Sequence, residues 1–379
     1  MKDGGDPVGK LSGYQIVVMI IMFELGSTPL FELGIKAKQD SWLAMTLAAS
    51  IGLLLLWVYL RIQGRFPGMG LADLLRVHFG KFLGTFTGLL FGLYFTYEAS
   101  RNARDFSELT VMTILQQTPQ WVIIFTTALI SLYGVYKGPT VFFRVVEMLF
   151  PIVILSYGVI VILLFIARLP NYHRLLPMLE NGVGPVVSAA IPDIVSFPFG
   201  QMVVFLMFWH RLSPGKKLGR IASMGYIIVA VLLIVLNAIS MAVLGPEISS
   251  ISSLPLLEVV QLIRIANILE RLDVFVTLLL YIGLYVKMTL FCMAAVIMMK
   301  NLFKGSHAAW SAAIILIICG LAFLEPNNTV RLWLGLTVMV KLFTIFQIAL
   351  PIVVLAVGAM RGLGKKGTEP ETAHTADEI

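Results

Sequence analysis

The sequence predicts an all-α integral membrane protein with about ten transmembrane helices, and three observations lead to that class. Hydrophobic residues make up 58% of the 379 residues and charged residues only 13%, and the mean hydropathy is +0.91. Apolar runs of about 20 residues, the length that crosses a bilayer as a helix, recur along the chain. Two of these runs are interrupted by glycine and proline at similar distances from their starts. We therefore expect residues 1–379 to form a single transmembrane bundle.

The predicted spans divide the bundle into two halves of five helices. The first half, 11–168, contains spans 11–35, 42–62, 82–106, 119–136 and 141–168, and the second half, 185–359, contains spans 185–210, 218–243, 270–299, 308–324 and 330–359. With the N-terminus inside, about 17 of the 28 lysines and arginines lie on the cytoplasmic side, which favours cytoplasmic N- and C-termini by the positive-inside rule. Residues 362–379 are polar and predict a flexible cytoplasmic tail.

The longest external connection, 244–269, ends in a helix-like run from Leu254 to Leu269. Polar positions interrupt its Leu, Ile and Val residues, a pattern typical of an amphipathic helix at the membrane interface. An ordinary loop helix packed on the bundle explains the pattern equally well, so both interpretations remain open.

The first span is broken at Glu24–Pro29, about 13 residues after it begins and therefore near the bilayer midplane. Gly26 favours unwinding and Pro29 lacks an amide hydrogen, while Ser27 and Thr28 offer hydroxyls to the freed backbone groups. Exposed amides and carbonyls at that depth are tolerated only where they are buried in protein or line a cavity. The break therefore predicts a small-molecule or ion site.

A second break, Ile191–Gly200, interrupts the sixth span with two prolines and a glycine. Its core lies about 14 residues into the span, as in the first break. Interrupted helices at corresponding positions of two halves point to an inverted-repeat transporter fold with its site at the breaks. The two halves share no clear residue identity, so the repeat is inferred from hydropathy and break position alone. Proline kinks that bind no ligand are the alternative.

Other functional classes are disfavoured by the motifs that the sequence does not contain. It has no P-loop, nucleophile motif or metal-spaced His/Cys cluster, so we expect neither an enzyme nor a metal or cofactor site. The two cysteines, Cys292 and Cys319, lie inside apolar segments and are interpreted as small hydrophobic residues. The net charge of +7 is spread over short loops, as expected for orientation signals and not for nucleic-acid binding.

A polar stripe follows one face of the third span and consists of Tyr94, Tyr97, Glu98, Arg101 and Asp105. Charged side chains are costly in a membrane and face protein or water, so the stripe is expected to face the bundle interior. Tyr97 is expected to close over a ligand, and Glu98 is a candidate ion- or proton-linked group. A structural ion pair of Glu98 with Arg101 near the outer interface is the alternative.

Lys287 lies inside the eighth span, one turn after Gly283. The glycine allows a neighbouring helix to approach closely beside the ammonium, and a buried lysine needs a partner. Glu24, beside the first break, is the preferred candidate, and Glu147 in the fifth span is the competitor. A role for Lys287 as ligand, cation surrogate or proton relay and a purely structural pair both remain open.

Two further stripes are weaker predictions. Tyr281 and Tyr285 of the eighth span are candidates to line the site, although aromatic stripes also arise from packing. Thr337, Lys341 and Thr344 of the tenth span are interpreted as packing and helix-satisfying residues in preference to ligand contacts.

Four motifs carry a resemblance to a known family. They are Lys10-Leu11-Ser12 with Gln15, the Gly-Ser-Thr-Pro break, the loop Arg174–Gly182 and the run Ser196-Phe197-Pro198-Phe199-Gly200. Over residues 8–360 the chain resembles the spore germination permease family, the B subunits of nutrient germinant receptors. Where that family commonly carries Glu after the Ser-Phe-Pro-Phe-Gly run, this chain has Gln201.

The resemblance implies a leucine-transporter-like fold, a five-plus-five inverted repeat with broken first and sixth helices, in the spore inner membrane. It also implies that the chain works with an A subunit and a lipoprotein C subunit to sense amino acids, sugars or nucleosides. In that fold, amide ends at Gly26, Ser27 and Thr28 and at Phe197, Pro198, Phe199 and Gly200 would face a ligand carboxylate. The third and eighth spans would complete the pocket.

A zwitterionic amino acid fits such a site best. Because a charged Lys287 nearby would repel the ligand ammonium, a neutral lysine, a lysine turned away, or a sugar or nucleoside ligand is favoured. The leading hypothesis is a germinant receptor subunit that binds a small nutrient near the midplane and triggers germination. The alternatives are a proton-coupled amino acid permease, in which Lys287 replaces a bound cation, and a subunit that only anchors the receptor.

Overall fold

The computed structural model describes residues 9–263, 272–324 and 328–363, and every regular element in these ranges is helical. In chain order the α-helices are α1 Gly13–Leu25, α2 Ser41–Arg65, α3 Leu71–Thr113, α4 Gln120–Lys137, α5 Pro139–Ile166, α6 Val183–Ala189, α7 Leu218–Ile251, α8 Pro255–Gln261, α9 Leu272–Leu302, α10 His307–Ala322, α11 Asn328–Trp333, α12 Val340–Thr344 and α13 Leu350–Met360. Shorter 3₁₀ and π segments connect several of them.

These helices reproduce the predicted spans. Within the described ranges, seven segments are long and apolar enough to cross a membrane: Gly13–Leu30, Ile35–Arg65, Pro139–Ile166, Val183–Met207, Leu218–Ile251, Leu272–Leu302 and Thr337–Met360. α3, α4 and α10 occupy the other three predicted spans, and α10 has 16 residues, about 24 Å of helix. The prediction of an all-α, multi-pass membrane protein is confirmed.

α3 is longer than its predicted span because two helices meet in it. Gly80 has φ 80° and ψ 176°, a backbone conformation that favours glycine. It separates the first turns of α3 from the longer part of the helix, which begins near residue 82, where the third span was predicted to begin. This longer part continues to Thr113, so the polar stripe lies in the middle of a continuous helix.

The N-terminal motif, Leu11-Ser12 with Gln15, caps the start of α1 and hydrogen-bonds to the end of the sixth span. The Ser12 hydroxyl accepts from the amide of Gln15 at 3.1 Å, and the Gln15 side chain accepts from the amide of Ser12 at 3.0 Å. This reciprocal capping box satisfies two amides at the helix start. Leu11 donates its amide to Arg211 at 2.8 Å and accepts from the amide of Ser213 at 3.0 Å. The ends of the two broken spans are therefore tied together.

The interior and the outer faces differ as expected for a membrane protein. α3 packs along α9, and Gly92 of α3 lies so close to Met299 that a side chain there would overlap it. By contrast, α5 exposes a row of large apolar side chains that includes Val145, Leu155 and Ile162. Exposed apolar rows of this kind suit contact with lipid.

Two predictions for connecting segments fall partly outside the described residues. The predicted interfacial run 254–269 forms only α8 within them, and Leu256, Val259 and Val260 of α8 are buried. α8 is therefore a loop helix packed on the bundle, and the interfacial interpretation is wrong for this part. Most of the predicted tail 362–379, from residue 364 onward, lies outside the described residues.

The tenth span is an irregular helix from Asn328 to Met360. π-helical segments at Leu334–Met339 and Ile345–Ala349 separate α11, α12 and α13. π segments widen the helix locally and often occur at functional sites. The second of them carries Gln347, which faces the second break.

Candidate functional site

The first break interrupts the chain where the sequence predicts it. α1 ends at Leu25, a 3₁₀ turn covers Thr28–Leu30, and residues 31–34 are not helical. The Gly26 amide donates to Phe23 at 3.1 Å, and the Thr28 hydroxyl donates to the carbonyl of Glu24 at 2.5 Å. Side chains and turns thus satisfy the helix end in place of water.

Gly26 is in direct backbone contact with Gly283 of α9. A Cβ built on Gly26 would lie 2.8 Å from the Gly283 carbonyl oxygen and 2.9 Å from Cβ of Lys287. A Cβ on Gly283 would lie 2.6 Å from the Gly26 carbonyl oxygen. Both positions therefore require glycine, and the close helix approach that Gly283 predicted is present.

Lys287 lies between the two breaks. Its side chain is 0% exposed, and its ammonium is 5.1 Å from the ring centre of Phe23 and 4.7 Å from that of Phe197. Both distances are within the range of cation–π attraction. The lysine therefore joins the end of α1 to the second break through two aromatic faces.

The charged neighbours of Lys287 are the acidic side chains Glu24 and Glu98 and the basic side chain Arg101. Both oxygens of Glu24 and the ammonium of Lys287 are buried without a hydrogen bond to a described residue. The two side chains attract each other electrostatically, but they form no direct salt bridge among the described residues. Glu147 instead accepts a hydrogen bond from Gln15 at 2.9 Å. Glu24, and not Glu147, is therefore an electrostatic neighbour of Lys287, and a functional pairing of the two stays a prediction.

The second break replaces regular helix with π and 3₁₀ segments. The π segment Ala190–Ile194 contains Ile191 with φ −117° and ψ 125°, and a 3₁₀ helix follows at Phe199–Met207. Ser196 donates to the Gln347 side chain at 2.5 Å and to the carbonyl of Val340 at 3.1 Å. The tenth span therefore holds the break in place.

A small central cavity lies between the breaks. Residues of both breaks, of α3 and of the tenth span line it, among them Ser27, Glu98, Arg101, Phe197, Gln201 and Gln347. Its volume is about 10 Å³, room for roughly one water molecule. The central cavity as it stands therefore has no room for an amino acid.

The walls of the central cavity carry both charge signs and unused polar atoms. Nε of Arg101, Oδ1 of Asn102 and Oε1 of Gln201 are buried without a hydrogen bond to any described residue. Leaving buried polar atoms unpaired costs free energy, so such atoms suit a polar ligand or water. Glu98 accepts from Gln201 at 2.9 Å, which makes Gln201 a neutral partner for that carboxylate.

The predicted ligand-binding residues fall into two groups. Ser27 and Phe197 line the central cavity, and Gly26 and Gly200 lie beside it as points of close backbone approach. A Cβ on Gly200 would lie 2.6 Å from Oε1 of Gln347. These four residues therefore lie at or beside the central cavity, and their role in ligand binding stays a prediction.

Three residues of the breaks do not line the central cavity, which corrects their predicted position. Thr28 faces a separate cavity against α7. Pro198 is buried but does not reach the cavity, and Phe199 packs on Tyr226 with ring centres 5.5 Å apart. Successive residues of a helical turn point in different directions, so the side chains of consecutive residues cannot all line the same cavity.

Two predicted tyrosines also lie elsewhere. Tyr97 packs on Phe343, with ring centres 5.6 Å apart, and Phe343 itself lines the cavity. Tyr285 contacts Phe142 of α5 at 6.2 Å, because it is two residues before Lys287 and therefore on the opposite side of α9. Neither tyrosine lines the central cavity, and Tyr281 stacks on Phe106 at 4.6 Å.

Gln347 is the main residue that sequence reasoning missed. Its side chain accepts from Ser196 and donates to the Tyr94 hydroxyl at 2.8 Å, and its carbonyl accepts from Tyr59 at 2.6 Å. The signal was present, since it is a lone amide in an apolar helix. Of the three residues predicted as packing and helix-satisfying there, Thr337 and Lys341 are exposed, which corrects their interpretation as packing residues. Thr344 donates to the carbonyl of Lys341 at 2.6 Å and so satisfies the helix as predicted.

Replacing Gln347 by methionine is expected to destabilise the protein by about 1–3 kcal/mol, because the Ser196 and Tyr94 hydroxyls lose their buried partner while the volume stays similar. The free energy of unfolding of the detergent-purified protein measures this. Ile352→Leu is the matched control, since Ile352 is exposed on the same span. Equal stability of Gln347→Met and the control would contradict the bridging role of Gln347.

A membrane bundle whose first and sixth spans are broken around one polar cavity has the architecture of a secondary transporter. A crystal structure of a mutant of the Eremococcus coleocola manganese transporter matches the chain with a TM-score of 0.51 and 11% sequence identity. The match covers 94% of this chain and 88% of that transporter. It shows the fold, and the leucine-transporter-like prediction is confirmed.

The chain belongs to the spore germination protein family, whose model matches residues 10–330. It is 30% identical over 368 residues to spore germination protein KB of Bacillus subtilis (strain 168), covering 96% of this chain and 98% of the relative. It is 23% identical over 365 residues to spore germination protein YndE of the same organism, covering 95% and 99%. The family resemblance is confirmed, and the chain is not an enzyme.

Proposed function

We propose that this protein is the membrane subunit of a spore nutrient germinant receptor, which binds a small nutrient between the two breaks and triggers germination. The observation that carries the proposal is the central cavity, whose walls combine both charge signs with unpaired polar atoms. The names of its relatives supply the biological setting.

A zwitterionic amino acid is the ligand class that these walls suit best. Arg101 and the backbone at Ser27 offer donors to a carboxylate, and Glu98 with the free oxygen of Gln201 offers acceptors to an ammonium. Lys287 does not line the central cavity, since the rings of Phe23 and Phe197 lie against its ammonium. That position supports a lysine that does not contact the ligand directly, which weakens the objection from charge repulsion. A sugar or nucleoside remains the second ligand class.

The same proposal includes partners and location. The receptor subunit works with A- and C-type subunits in the spore inner membrane, with its N- and C-termini on the cytoplasmic side. The excess of basic residues in the loops on that side supports the orientation.

Spores that lack the gene for this chain test the function directly. The fall in optical density on germination is measured for each of the twenty standard L-amino acids, for sugars and for nucleosides. We expect the response to one or a few amino acids to disappear and to return with the wild-type gene, while the other responses serve as controls. Loss of every nutrient response would favour an anchoring subunit, and no loss would refute the proposal.

A proton-coupled amino acid permease is the second candidate, and the buried pair of Glu24 and Lys287 beside the first break favours it. A buried ammonium can replace a bound cation and couple its protonation to transport. Uptake of labelled amino acid into vesicles with an imposed pH gradient tests this function. Uptake that Lys287→Met uncouples from the pH gradient would support the permease, whereas nutrient-dependent germination without uptake would support the receptor.

A further inference from the structure

Arg101 supplies the cationic side chain of the central cavity wall. Two carboxylates on the same helix line that cavity as well, Glu98 three residues before Arg101 and Asp105 four residues after it. Opposite charges at these spacings are neighbours on a helix surface and are placed to pair. Among the described residues, however, Arg101 forms no salt bridge, and its Nε is buried without a hydrogen bond.

The nearer carboxylate is satisfied by a neutral group instead. Glu98 accepts from the side-chain amide of Gln201, in the second break, at 2.9 Å. The charge of the Arg101 guanidinium therefore has no direct ionic contact among the described residues. A guanidinium presents several donors in one plane and binds a carboxylate through two parallel hydrogen bonds. An unpaired guanidinium in a cavity wall thus suits a ligand that carries a carboxylate.

Gly335 of the tenth span explains where the guanidinium lies. A Cβ built on Gly335 would lie 2.0 Å from one terminal nitrogen of Arg101, 2.4 Å from its Cζ and 2.9 Å from the other terminal nitrogen. The guanidinium therefore occupies the space that any side chain at position 335 would fill. Only glycine allows Arg101 to keep this position.

The first π segment of the tenth span, Leu334–Met339, contains Gly335. The amide of Val340 donates to the Gly335 carbonyl, five residues earlier in the chain, which is the hydrogen bond of a π turn. Gly335 is buried, so its missing side chain leaves a space inside the bundle that the guanidinium from α3 fills. The backbone of the tenth span therefore sets where the charge of Arg101 lies.

We propose that Gly335 is a positioning residue that keeps the Arg101 guanidinium free for the carboxylate of the ligand, so that the central site selects ligands with a carboxylate. This inference rests on the proposed function and names the group that the site recognises. A side chain at position 335 displaces the guanidinium along α3, where Glu98 or Asp105 can pair with it. A sugar or nucleoside has no carboxylate and leaves the guanidinium without an ionic partner.

The test compares an amino acid with its amide, in which a neutral carboxamide replaces the carboxylate. The concentration that gives half-maximal germination is measured for both compounds, for every standard L-amino acid whose response depends on this chain. In wild-type spores we expect the amide to require at least about a tenfold higher concentration than the amino acid. In Arg101→Gln and Gly335→Ala spores this ratio should fall toward one, because only the amino acid loses a charge-assisted contact.

The ratio separates positioning from general damage to the protein. A variant that is merely less stable raises both concentrations together and leaves their ratio at the wild-type value. Gly320→Ala is the matched control, because Gly320 lies in α10 with nothing within 4 Å of an added Cβ, and it should keep the wild-type ratio. The double variant Gly335→Ala/Arg101→Gln should respond like Arg101→Gln alone, since Gly335 acts through Arg101.

The amount of this chain in spore membranes shows whether each variant folds. If Gly335→Ala lowers that amount, the double variant Gly335→Ala/Arg101→Ala should restore it, because the overlapping guanidinium is removed. A double variant that stays depleted would overturn the inference, since Arg101 would not be the reason for glycine at position 335.

Three other results would also overturn it. A wild-type ratio in Arg101→Gln would mean that no ligand carboxylate contacts the guanidinium. A wild-type ratio in Gly335→Ala, or a further rise in the double variant with Arg101→Gln, would mean that Gly335 does not act through Arg101.

The nutrient itself distinguishes failure of this inference from failure of the proposed function. If deletion of the gene removes only the response to a sugar or nucleoside, the selection for a carboxylate fails while the receptor function stands. If no nutrient response depends on this chain, both proposals fail together.

Discussion

Replacing Lys287 by methionine is expected to destabilise the protein by about 3–5 kcal/mol, the largest effect that we expect from a change of side-chain charge. The substitution leaves the buried carboxylate of Glu24 without a compensating charge and removes the ammonium that contacts Phe23 and Phe197. The free energy of unfolding in detergent and the amount of protein in spore membranes both report the loss.

Two further variants make this prediction specific. Lys300→Met is the matched control, because Lys300 is exposed near the end of the same helix. The double variant Lys287→Met/Glu24→Gln should recover much of the stability, since it removes both buried charges together. A double variant as unstable as the single one would show that charge compensation by Lys287 does not account for the loss of stability.

Gly26→Ala and Gly283→Ala are expected to abolish the nutrient response and to destabilise the protein by about 1–3 kcal/mol each. Each added methyl group would meet backbone atoms of the other segment, at 2.8 Å from Gly26 and 2.6 Å from Gly283. Backbone cannot rotate aside as a flexible side chain can, so α1 and α9 must separate. Germination rate and unfolding free energy measure the two consequences.

Gly158→Ala is the control for the glycine contact. It lies inside α5 with nothing within 4 Å of an added Cβ, so alanine there should be neutral or stabilise by up to about 1 kcal/mol. If the variants at positions 26 and 283 respond to nutrient and unfold like Gly158→Ala, the close approach of the first break to α9 does not limit function.

The position of the first break was predictable because glycine and proline act locally. The loss of a backbone donor at Pro29 and the freedom of Gly26 end a helix whatever surrounds it, and the first break follows them closely. The burial of Lys287 was also predictable, since a charge in an apolar helix faces protein or water. Glu24 is an electrostatic neighbour of Lys287, as expected for a residue that adjoins the break.

The direction of individual side chains was less predictable. Tyr97 and Tyr285 have the spacing of lining residues, yet each packs on a phenylalanine of a neighbouring helix. Gln347 is a lone amide in the tenth span, yet only the structure shows that it bonds residues of the second break and α3. These outcomes depend on which helices become neighbours and on how each is rotated about its axis.

The sequence by itself determined a helical membrane protein with about ten spans, two breaks and a buried lysine, because hydropathy and helix termination depend on consecutive residues. Only the tertiary structure decided that Lys287 lies between Phe23 and Phe197, that Gln347 accepts a hydrogen bond from Ser196, and that residues of both breaks line one small central cavity. Such contacts join residues far apart in the chain. They follow from the simultaneous packing of many helices, which no single segment encodes.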